Sequence, residues 1–129
     1  MIQSSSVDIS IIIVNYNLEK ELENCLSSLL PQILSDQELT YEVLIVDNHS
    51  STDALRQLET KFSYSFIHFY YLDENIGFGQ GCNYGFTKAG GRYVCFLNPD
   101  TILTTNSFCD LYHFLEKHNE VGIVAPKQQ

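Results

Sequence analysis

Positive charge is scarce in this chain. Seven lysines and arginines stand against sixteen aspartates and glutamates, a formal net charge of -9. A nucleic-acid binder needs a basic face to displace counterions from phosphates, so that balance argues against one. It argues equally against docking on anionic lipid through charge. Long hydrophobic runs are missing too, and no stretch nears the roughly 18 apolar residues of a membrane span. The early run from Ile11 to Val14 is too short for a signal-peptide core, and the first basic residue, Lys20, follows it instead of preceding it. These absences point to the cytoplasm, with peripheral association at the inner membrane face as a variant. Cys25, Cys82, Cys95 and Cys109 form no C-x-x-C pair and no zinc-like spacing, so reduced thiols among core positions are expected. Also absent are a G-K-[ST] phosphate loop, an internal repeat and a linker.

What remains is 129 residues with 44% apolar and 18% charged side chains. That is the composition of one globular domain, long enough to bury about two-thirds of its unfolded surface. Strand and helix patterns alternate along it. Ser10–Asn15 is a β-branched run, the mark of a strand buried on both faces. Asn17 is a plausible N-cap for a helix with an apolar stripe from Leu18 to Leu30, which Pro31 limits or kinks. A second strand spans Tyr41–Val46, and Ser50 or Ser51 caps a helix carrying Leu55, Leu58 and Phe62. Phe66–Leu72 is a third strand. A glycine-rich loop from Asn75 to Gly81 then leads into a helix marked by Phe78, Cys82, Phe86 and Ala89. Arg92–Leu97 is a fourth strand, a helix follows around Phe108 to Leu115, and Val121–Ala125 reads as a fifth strand. The order predicts an α/β fold: a Rossmann-like, mostly parallel sheet with helices on both faces.

Polar residues gather after the strands. Asn15 and Tyr16 follow the first, Asp47 and Asn48 the second, Asp73 to Asn75 the third, and Asn98 and Asp100 the fourth. In a parallel sheet these ends share one edge, where ligands of open α/β sheets bind. Each group alone is also an ordinary turn former. Gly77-x-Gly79-x-Gly81 lacks the third glycine of the dinucleotide fingerprint, so it reads as backbone that a ligand or a neighbouring segment approaches closely. In Asn98-Pro99-Asp100 the proline stops the strand and presents Asp100, a hard oxygen ligand for Mg²⁺ or Mn²⁺. Taken alone, the tripeptide reads better as a turn.

Several of these segments recur together in one family. Ser10-Ile-Ile-Ile-Val-Asn-Tyr-Asn17, Glu42-Val-Leu-Ile-Val-Asp-Asn-His-Ser50 with Asp53, Asn75-x-Gly77-Phe78 with Asn83-x-Gly85, and Phe96-Leu97-Asn98-Pro99-Asp100-Thr101 resemble a family 2 glycosyltransferase in order and spacing. They are most similar to its rhamnosyltransferase-like branch. The resemblance implies a GT-A fold, with residues 1–129 as a nucleotide-sugar-binding domain that stops before the acceptor-binding half. It implies inverting transfer, in polysaccharide biosynthesis, from a donor such as dTDP-rhamnose or a UDP-sugar to a glycan or lipid-linked acceptor.

Carried over by position, Val14, Asn15 and Tyr16 would contact the nucleotide base, and Asp47 would accept hydrogen bonds from base or ribose. Asn75, Gly77 and Phe78 would border the nucleoside. Asn98-Pro99-Asp100 falls at the family's Asp-x-Asp motif, with Asn98 in place of the first acid and Asp100 as the metal ligand. The family's general base lies well beyond that motif, so it is expected beyond Gln129; Asp110, Glu116 and Glu120 read as surface acids. The alternative is a non-catalytic nucleotide-sugar-binding or interaction domain, and homo-oligomerisation stays open. A nucleotidyltransferase would carry a basic glycine-rich loop after its first strand, which Asn15–Lys20 is not.

Overall fold

The computed structural model describes residues 7–105 and 107–126. Strand and helix alternate as β1 (Ile9–Asn15), α1 (Glu19–Ser35), β2 (Tyr41–Asp47), α2 (Ala54–Lys61), β3 (Ile67–Tyr71), α3 (Phe78–Lys88), β4 (Tyr93–Phe96) and α4 (Phe108–Lys117). All strand pairs are parallel, and the sheet runs β3-β2-β1-β4. The chain therefore moves outward from β1 to β3, then crosses back to lay β4 on the other side of β1. That reversal opens a crevice between β1 and β4 at their C-terminal ends.

Side chains alternate across a strand, so β1 feeds two layers. Ile9, Ile11 and Ile13 join Val43 and Ile45 of β2 in a core with Leu22, Cys25, Leu26 and Leu29 of α1, Leu55 and Leu58 of α2, and Phe108 of α4. Ile12 and Val14 point the other way, under α3. That helix lies close because it turns glycines to the sheet. A Cβ on Gly81 would sit 2.9 Å from a Val14 methyl, and one on Gly85 would sit 2.6 Å from Ile12 Cγ2. Helices thus cover both faces, as the alternating pattern predicts. No helix among the described residues is long and apolar enough to cross a membrane.

Two details depart from the sequence pattern. Pro31 lies inside α1, which continues to Ser35. Burial of Ile33 on the same stripe outweighs the backbone bond that an exposed proline removes. Val121–Ala125 is not a strand: residues 121–126 carry no regular structure, and Ile123 is 90% exposed. An apolar run of this length needs a ladder partner, and here it runs clear of the sheet, so among the described residues β4 pairs with β1 alone.

Candidate functional site

The period-two alternation divides the polar edge into two clefts. Val14 lies on the α3 face, and the cleft beside it, about 460 Å³, is lined by Val14, Tyr16, Leu18, Asn48, Asn75, Gly77, Phe78, Asn98, Pro99 and Asp100. Seven of the nine residues expected at the site meet here: Val14, Tyr16, Asn75, Gly77, Phe78, Asn98 and Asp100. Asn15 and Asp47 belong to the opposite parity and turn toward α1 and α2. They are register partners across β1 and β2. Asn15 is fully buried, while Asp47 lines a second cleft of about 270 Å³ with His49, Ser50, Asp53, Arg56 and Tyr71.

Local chemistry shapes each wall of the larger cleft. Gly77 has φ +87, a conformation open to glycine at no steric cost, and its N–H donates to Asn75 Oδ1 at 2.8 Å. Asn48, only 3% exposed, accepts the Ile76 N–H on Oδ1 at 2.8 Å and so ties the β3–α3 loop to the end of β2. Tyr16 and Phe78 stay 46% and 57% exposed, two aromatic rings at the lip of a crevice. The Asn98-Pro99-Asp100 turn closes on itself through Thr101 N–H to Asn98 O, 3.1 Å. From beneath, the Cys25 thiol reaches the same carbonyl at 3.9 Å. Burial, the Asp100 charge and Cys95 push that thiol up to about 12, so it stays a neutral donor under the turn. Burial likewise lifts Cys95 to about 11, and all four cysteines are free.

Among the described residues no lysine or arginine lines the larger cleft, and Asp100 is its one carboxylate. Among the described residues no three His, Cys, Asp or Glu side chains gather to hold a metal. Mg²⁺ and Mn²⁺ are commonly held by one or two carboxylates plus ligand phosphates and water, and a lone exposed Asp100 fits that shared mode only. The acids after Asp100 stand elsewhere. Glu116 accepts from Arg92 and from the Tyr93 hydroxyl, each at 2.9 Å, and these two donors hold it below the ordinary carboxylate range. Glu120 contacts His118, and neither these acids nor Asp110 line the cleft.

The caps read from the sequence serve other ends. Asn17, at φ +57, precedes Leu18 at the cap position of α1 and spends its side chain on Ser51. Asp53 takes the cap position of α2, leaving Ser50 bonded to Asp47. Asn48 and Arg56 were not assigned to the site from sequence. Parity along β2 signals Asn48, since it shares the face of Leu44 and Val46; nothing local signals Arg56.

The profile of the family described as "Glycosyl transferase family 2" matches residues 10–128. The chain is 29% identical over 125 residues to the minor teichoic acid biosynthesis protein GgaB of Bacillus subtilis, spanning 95% of this chain and 14% of that protein. It is 28% identical over 118 residues to the poly(ribitol-phosphate) beta-N-acetylglucosaminyltransferase TarP of Staphylococcus aureus, spanning 91% of this chain and 36% of that one. The crystal structure of S. aureus TarS in complex with UDP-GlcNAc superposes with a TM-score of 0.74 at 27% identity. That match covers 88% of this chain and 32% of the TarS chain. The chain thus spans well under half the length of these relatives.

Proposed function

This chain belongs to glycosyl transferase family 2, and on that premise we propose that it is the donor-binding part of an inverting sugar transferase. The observation that carries the reading is the convergence of Val14, Tyr16, Asn75, Gly77, Phe78, Asn98 and Asp100 on one cleft beside the β1–β4 reversal. Tyr16 and Phe78 offer flat apolar surface to a nucleobase, and the loop from Asn75 to Phe78 offers backbone groups to the ribose. Asn15 and Asp47 pair across β1 and β2 on the opposite face and do not line this cleft. Asn98 and Asp100 lie on the wall nearest β4, suited to the diphosphate. A divalent cation held between Asp100 and the donor's phosphates would act as a Lewis acid for the departing diphosphate.

A UDP-sugar is the donor favoured here, supported by the TarS complex with UDP-GlcNAc; dTDP-rhamnose is the donor of the rhamnosyltransferase-like reading. The acceptor is a glycan or a lipid-linked envelope polymer, supported by the polymer-directed names of GgaB and TarP. The general base is assigned to a segment outside residues 1–129, since among the described residues Asp100 is the only carboxylate lining the cleft. A cytoplasmic place, peripheral to the membrane's inner face, goes with four free thiols. Self-association goes with the open edge of β4 and is read by sedimentation over a concentration series. Calorimetry of the chain with UDP-, dTDP- and GDP-sugars, with and without Mn²⁺, tests the core of the reading. Saturable binding of one donor class is expected, and no binding of any of them by a folded sample would overturn it.

A further inference from the structure

The turns after β1 and β2 are stitched together by one buried carboxylate. Asp47 Oδ1 accepts from Asn15 Nδ2 at 3.1 Å and from Ser50 Oγ at 2.5 Å, and its Oδ2 accepts the Ser50 N–H at 3.1 Å. Ser50 Oγ in turn accepts the Asn17 N–H at 2.9 Å. Asn17 Oδ1 accepts the Ser51 N–H at 2.9 Å and its hydroxyl at 3.1 Å. The Asn48 N–H donates to Asn15 O at 2.8 Å. Both neighbours of Tyr16 are therefore fixed by residues 47–51. Two residues of this network region, Asn17 and His49, hold left-handed φ values of +57 and +66, which persist only where surroundings over-determine them.

Asp47 is 6% exposed and faces away from the larger cleft. A carboxylate has about four lone-pair sites, and three donors from the chain already occupy most of them. We propose that Asp47 and Ser50 are positioning residues, a latch that sets the β1 turn and through it the Tyr16 ring at the lip of the cleft. This rests on the donor-binding reading of that cleft. Asp47 then governs how firmly any nucleotide is held, and does not read which base it carries.

The chain has no tryptophan, so the Tyr16→Trp variant places its single tryptophan at the lip, excited at the red edge where the tyrosines do not absorb. In that background and without nucleotide, Ser50→Ala is expected to raise acrylamide quenching about twofold, as a turn freed from its hydrogen bonds opens more often. Ser50→Thr, which keeps the hydroxyl, is expected to restore the parent value. With Tyr16 in place, Asp47→Asn and Ser50→Ala should each weaken UDP, dTDP and GDP equally, by about tenfold, the weight of one hydrogen bond to a charged group. The double variant should fall no further than either single one, because the two share one network. Unchanged quenching in Ser50→Ala overturns the latch. So does an altered base preference in Asp47→Asn that Ser50→Ala lacks, since that marks a direct base ligand. If the parent chain binds no nucleotide, the donor-binding reading fails while the quenching series still decides the latch.

Discussion

Gly85 leaves no room for a side chain. Its missing Cβ would meet Ile12 Cγ2 at 2.6 Å and Val46 Cγ2 at 3.4 Å, both buried methyls on β-branched side chains that have no flexible end to move. Gly85→Ala is therefore expected to push α3 off the sheet and cost about 1–3 kcal/mol. A lowered urea midpoint at unchanged slope is the measurement; an unchanged midpoint would show that α3 slides freely. Gly79 is different, since nothing lies within 4 Å of its Cβ position. The sequence places Gly79 in the glycine-rich loop and Gly85 in the Asn83-x-Gly85 motif, and only packing shows that they differ. Asp100 stands at the same scale: it is the carboxylate of the cleft, and Asp100→Asn is expected to abolish any gain in donor affinity on adding Mn²⁺ while leaving metal-free binding in place. Calorimetry at fixed ionic strength checks this, and an undiminished Mn²⁺ effect would move the cation elsewhere.

Elements are joined by a few polar anchors, of which Asp36 is the most connected. It follows α1 and accepts from the Tyr41 hydroxyl of β2, from the N–H groups of Glu38 and Leu39, and from the Cys109 thiol of α4. Burial raises its affinity for the proton, but these donors outweigh burial and hold the carboxyl at about 2, below its ordinary 3.8. A folded-state value below the unfolded one means stability that is full above the ordinary carboxylate range. It is lost as pH falls through the window from 3.8 to about 2. Thermal melts across that window should show a steeper decline for the parent chain than for Asp36→Asn, and parallel declines would contradict the anchor.

Element order, the mostly parallel sheet and the layered helices were legible in the sequence because strand and helix periods differ so plainly in Ile9–Asn15 and in Leu22–Leu29. Strand parity puts Asn15 and Asp47 on the opposite face from Val14 and Asn48, but the sequence did not show which face carried the cleft, and only the register of β1 against β2 shows that Asn15 and Asp47 stand side by side. The fifth strand failed for a related reason: an apolar pattern makes a strand only where another strand stands beside it.

At the scale of the whole molecule, the acidic balance and the cleft describe one problem. A net charge of -9 repels an anionic diphosphate, and among the described residues the larger cleft brings no lysine or arginine to offset it. Its described lining is aromatic surface, polar loop residues and one carboxylate, and under the proposed reading the nucleoside would be held by contact and the phosphates left to a cation. Phe86 of α3 and Phe96 of β4 are also 59% and 54% exposed.

The central claim is that the cleft beside the β1–β4 reversal is where the donor sits. Amide chemical-shift mapping of the ¹⁵N-labelled chain during a UDP titration with Mg²⁺ tests it most directly. The expected result is saturable shifts at Val14, Tyr16, Asn48, Gly77 and Phe78, with Lys20, Gln57 and Lys61 of the groove between α1 and α2 unmoved. Saturable shifts confined to that groove, or no shifts at all in a folded sample, would contradict it.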